Sequence, residues 1–69
     1  GMDRGRAVHH YSEALRLGYD EFWARFNRGS AYEADGKLGQ ARGDLARAVE
    51  LKPAHAAARE LLAKVSATR

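Results

Sequence analysis

Three histidines come first, because imidazole nitrogens bind metal ions and carry protons: His9, His10 and His55. On a helix, adjacent side chains point about 100° apart, so His9 and His10 do not form the i, i+4 pair that grips one ion. His55 lies far along the chain and no carboxylate stands at a ligand spacing. All three read as surface histidines, with no metal and no cofactor implied. The stretch GKLGQARG, Gly36 to Gly43, places a lysine after a glycine but lacks the following Ser or Thr of a phosphate loop, and it follows a helix rather than a strand. It reads as a turn glycine followed by small residues at a helix contact. The hydroxyls Ser12, Ser30, Ser66 and Thr68 show no nucleophile–base pair, so no catalytic residue is expected.

Non-covalent recognition is the chemistry that remains. Trp23, Asn27, Ser30 and Ala34 fall at i, i+4, i+7 and i+11, one stripe of a helix, flanked by Phe26 and Glu33. Tryptophan and phenylalanine are common energetic anchors at interfaces, and an asparagine amide can hold a peptide backbone. Arg25, Arg28 and Tyr32 share a second face, where arginine and an aromatic ring together suit single-stranded nucleic acid. Acidic residues interrupt every other stripe, so nucleic acid is the weaker reading. The balance of 12 Lys and Arg against 9 Asp and Glu is small and mixed in sign along the chain, which describes solvated helix faces. No cysteine is present, which removes disulfides and thiolate metal sites. No apolar run approaches the roughly 20 residues of a membrane span, and no leader is visible, so a cytoplasmic location without membrane attachment is expected. Gly1 before Met2 reads as a cleavage remnant.

The elements that position these residues are all helical. The chain is rich in alanine, leucine, arginine and glutamate and poor in β-branched residues. The first helix is expected over Asp3 to Leu17, stopping at Gly18. The second follows Asp20 as N-cap and runs to about Asp35, before Gly36. The third covers Leu38 to Leu51, because Pro53 pushes the residue before it out of the helical region. The fourth covers about Ala54 to Ala67, with Pro53 near its first turn. Short connections make neighbours antiparallel.

A shift of 34 residues aligns Gly5 with Gly39, Ala7 with Ala41, Tyr11 with Leu45, Ala14 with Ala48 and Leu17 with Leu51. The fourth helix repeats the second more weakly, matching Ala24 to Ala58, Arg25 to Arg59 and Gly29 to Ala63. Small residues around a larger apolar one on one face let helices approach closely. Gly29 fits that pattern: it costs a helix about 1 kcal/mol relative to alanine, and a close approach of the second and third helices would offset it.

On these residues the segment 22–55 resembles one complete tetratricopeptide repeat. Gly29, Tyr32, Ala41, Leu45, Ala48 and Pro53 stand at its signature positions, with Gly36 at the turn. Residues 3–17 resemble the second helix of a preceding repeat, and 56–67 a following or closing helix. The resemblance implies one domain over 1–69: an all-α fold of antiparallel helix–turn–helix hairpins, four helices in all, stacked as a short right-handed solenoid. It also implies a non-catalytic module that holds a protein or peptide partner against its concave face, through Trp23, Phe26, Asn27, Ser30 and Glu33. Two positions depart from the family pattern: Arg25 stands where an aromatic is usual and Arg28 where leucine is common. Phe22, Trp23 and Phe26 therefore read as aromatic weight moved off the core toward the concave face. Asn27 matches one member of the family's carboxylate clamp, but Ala57 and Leu61 stand where its basic residues would be, so the clamp is not expected. Repeats bury a continuous core only by stacking, so the chain reads either as part of a longer array or as half of a homodimer that buries Phe22, Trp23 and the first helix.

Overall fold

A computed structural model describes residues 3–67, with side chains described from Arg6 onward. Among them are four α-helices and no strand: α1 (Asp3–Arg16), α2 (Glu21–Ala34), α3 (Leu38–Leu51) and α4 (Ala56–Ala67). Each helix packs on the next in chain order, and α2 also touches α4. The result is a slab of 27 × 25 × 15 Å, the all-α arrangement of helical hairpins expected from the sequence.

The helix ends follow from local chemistry. Both α1 and α2 end in a glycine with left-handed backbone, Gly18 at φ 81° and Gly36 at φ 78°. Beyond each glycine the chain folds back to satisfy the last carbonyls. Gly18 and Tyr19 donate to the carbonyls of Leu15 and Ala14, while Gly36 and Lys37 donate to those of Glu33 and Tyr32. This paired pattern is the Schellman motif, and a side chain at the glycine would strain it. Asp20 caps α2, its carboxylate accepting from the Trp23 backbone N–H at 3.3 Å.

The start of α4 differs from expectation. Pro53 is not in its first turn: residues 52–55 form a tight turn, closed by the His55 N–H donating to the Lys52 carbonyl at 3.0 Å. Proline is well suited to the second position of such a turn. His55 then becomes the residue that caps α4, its Nδ1 accepting from the Ala58 backbone N–H at 3.3 Å.

Two apolar clusters form the core. One joins Phe22, Ala48 and Ala58; the other joins Ala41, Leu45 and Val65, with Tyr32, Leu61 and Leu62 against it. Phe26 packs on both. The expectation that the aromatics had left the core is therefore corrected for two of the three. Phe22 is only 3% exposed, and Phe26 is half-buried. Alanines at 41, 48 and 58 leave room that these rings fill, which is why α2 carries the bulk and α3 the small residues. With Phe22 in the core of the single chain, it is not free to serve a symmetric dimer.

At Gly29 the backbone of α2 comes close to α3. A β-carbon there would lie 2.8 Å from Leu45 Cγ and 3.3 Å from Asp44 Cβ. Leu45 is fully buried and has no room to yield. Of the small residues after Gly36, Ala41 lies at a helix contact as expected, but Gly39 and Gly43 face open space. Gly29→Ala should therefore destabilise the chain, because overpacking of about 1–3 kcal/mol exceeds the helix propensity gained. Gly43→Ala should stabilise it by about 1 kcal/mol. Paired urea melts followed by circular dichroism read both signs.

Candidate partner-binding face of α2

The inner side of α2 carries a charge cluster. Asp44 of α3 is only 3% exposed, and such a carboxylate needs full hydrogen bonding to remain charged. Arg28 supplies it with a two-pronged contact, Nε to Oδ2 and Nη2 to Oδ1, both 2.7 Å. Arg25 adds a bond from Nη1 to Oδ1 at 3.3 Å, and its Nε lies 3.5 Å from Glu21 Oε2. The remaining Nη1 of Arg28 donates to the Ser12 hydroxyl of α1 at 2.9 Å. One guanidinium thus ties α1, α2 and α3 together. Its fork geometry matches a carboxylate in a way a lysine would not.

Hydrogen bonding to Asp44 raises the Arg28 pKa above its usual value, with burial opposing the rise. A raised pKa in the folded chain adds stability that is complete below the ordinary arginine range and is lost only in strong alkali. The arginine half of the pair therefore stays charged at every ordinary pH. On the rim, Arg47 of α3 donates to Glu21 at 3.2 Å and to Glu50 at 3.1 Å; exposed pairs of this kind contribute little.

The outer side presents the stripe identified from the sequence. Trp23 is 45% exposed, although its ring meets Phe22, Phe26 and His55 edge-on at 5.3, 5.8 and 5.9 Å. It is the outermost ring of a packed aromatic cluster and so is held in place while offering its free surface. The Lys52 ammonium lies 4.7 Å from the centre of the Phe22 ring, a favourable cation–π distance. Further along α2, Asn27 is half-buried and Ser30 exposed. Glu33 closes the face toward α4 through an ion pair with Lys64 at 3.4 Å.

The five residues that the resemblance implies as a partner-binding set fall at different places in the structure. Trp23, Asn27 and Ser30 lie on the outer stripe, Glu33 borders α4, and Phe26 supports Trp23 from the core. His55, read as a surface histidine, is instead half-buried among the rings. Among the described residues no group of three or more His, Asp or Glu side chains is placed to hold a metal ion, and no helix is long and apolar enough to cross a membrane.

Asp44 was missed from the sequence, although a signal for it existed. Ala41, Asp44, Leu45 and Ala48 make an i, i+3, i+4, i+7 stripe, so the acid sits on a buried face, and two arginines share one face of the preceding helix. Those arginines, read from the sequence as a candidate face for single strands, are 31% and 20% exposed and both engage Asp44.

No protein-family model matches the chain, and neither a curated protein nor a solved structure is found to match it. What the fold and the face define by themselves is an all-α helical-hairpin protein with one exposed, buttressed tryptophan. Removing one partner of the inner cluster should be severe: Asp44→Ala leaves Arg28 buried without its acid and is expected to cost about 3 kcal/mol. Replacing the whole cluster by Asp44→Leu, Arg25→Met and Arg28→Met should recover most of that loss. Chemical denaturation at low temperature distinguishes the two variants.

Proposed function

We propose that this chain is a non-catalytic protein–protein interaction module, a tetratricopeptide-like unit that holds a peptide or partner helix against the outer face of α2. The observation that carries the reading is Trp23, nearly half exposed at the tip of an aromatic cluster otherwise turned inward. Binding loses least entropy when the anchor is already fixed, and three ring contacts fix this one. Asn27 and Ser30 lie along the same stripe as backbone-directed hydrogen-bonding groups, with the Glu33–Lys64 pair at its far end. The resemblance supports the same face, through the 34-residue register and the small residue at Gly29.

Trp23 is the one tryptophan of the sequence, so its fluorescence reports directly on this face. Peptides selected from a displayed random library on the wild-type chain should shift its emission. They should lose roughly thirtyfold or more in affinity on Trp23→Ala, as truncation of an interface anchor costs about 2 kcal/mol, and less on Asn27→Ala. A library that returns no binder, or binders indifferent to both substitutions, would overturn the assignment.

A further inference from the structure

The outer face of α4 stands, in the 34-residue register, in the place of the α2 face that α3 covers. In the 34-residue register, Ala56, Arg59, Glu60 and Ala63 are the counterparts of Phe22, Arg25, Phe26 and Gly29. On α2 these four positions meet α3: Phe22 packs on Ala48, Arg25 reaches Asp44, Phe26 fills both core clusters and Gly29 touches Leu45. On α4 the same four residues line an open groove of about 360 Å³. The side chains of Arg59 and Glu60 make no hydrogen bond or ion pair among the described residues.

We propose that this groove takes α1 of a second copy of the chain, so that copies join head to tail. The same register makes α1 the counterpart of α3, with Ala7, His10, Tyr11 and Ala14 standing for Ala41, Asp44, Leu45 and Ala48. Helix order then continues from one copy to the next, with α4 against α1 of the next copy in the place of α2 against α3, at a wider spacing because Ala63 and Tyr11 stand where Gly29 and Leu45 meet.

Two substitutions fit that pairing. Asp44 becomes His10, and its principal partner Arg28 becomes Leu62, so the acid and the arginine that neutralises it disappear together. Either change alone would strand a buried charge. The bulk is also exchanged: α2 brings large Phe22 against small residues, whereas α4 offers Ala56 and Ala63 around an open groove, and α1 brings Tyr11 where α3 has Leu45. His10 on α1 and its register counterpart Arg59 on α4 are both exposed in the single chain, as the two sides of an unmade contact would be. The contact is heterologous and leaves one face of each kind at the ends, so it builds chains or rings rather than a two-fold dimer. It is separate from the Trp23 face, which it would extend from copy to copy.

Sedimentation equilibrium of the 69-residue chain over about a hundredfold range of concentration tests it. The weight-average mass should rise past that of a dimer. Ala63→Glu on the α4 side, or His10→Lys facing Arg59 on the α1 side, should each leave a helical monomer. Mixing those two variants should restore association but stop it at a 1:1 pair, because each keeps one sound end. His10→Asp, which rebuilds the acid opposite Arg59, should tighten association severalfold. A wild-type chain that remains monomeric overturns the proposal. So does a dimer that Ala63→Glu does not weaken, or a mixture of the two variants that does not associate.

Discussion

The structure turns on a carboxylate that has almost no access to water. Asp44 lies on the buried stripe of α3, and its desolvation would be prohibitive without the fork of Arg28 and the added bond from Arg25. Because those arginines come from α2, and Arg28 also reaches Ser12 on α1, satisfying one acid sets the register of three helices. A core of alanines and a few larger side chains would tolerate sliding by a turn; this ion cluster does not. Gly29 adds a steric limit beside it, since only a residue without a β-carbon lets α2 sit this close to Leu45 and Asp44.

That inner constraint shapes the outer face. With Arg25, Arg28 and Gly29 directed toward α3, the opposite stripe of α2 must carry Trp23, Asn27 and Ser30. Phe22 and Phe26 lie between the two sides and support the tryptophan from below, while His55 closes the cluster from the turn before α4. A single histidine therefore both caps a helix and positions the ring that defines the candidate face. Arg25 and Arg28 stand on the packed side of α2 for a physical reason of the same kind: both reach Asp44 on the neighbouring helix.

Helix limits were largely legible. Asp20, Gly18, Gly36 and Pro53 act within a few residues of themselves, and α3 runs over Leu38–Leu51 as read. The error at α4 was also local: proline is compatible with a helix's first turn and with the second place of a tight turn, and the His55 hydrogen bonds select the latter. Gly29 as a close approach was readable from the register. Phe22 and Phe26 were misplaced because a helical wheel gives the angle between side chains but not which neighbouring helix has a gap to receive them.

By itself the sequence determined the elements: four amphipathic helices, their stops, the 34-residue register and the outward stripe through Trp23. These rest on interactions between residues close in the chain, or on spacing alone. Only the tertiary structure decided that Asp44 is buried and held by two arginines, that two of the three aromatics are core, and that His55 belongs with them. Each of those depends on which surfaces meet. Burial and charge pairing are properties of contacts between helices, and a carboxylate reads the same in the sequence whether water or a guanidinium receives it.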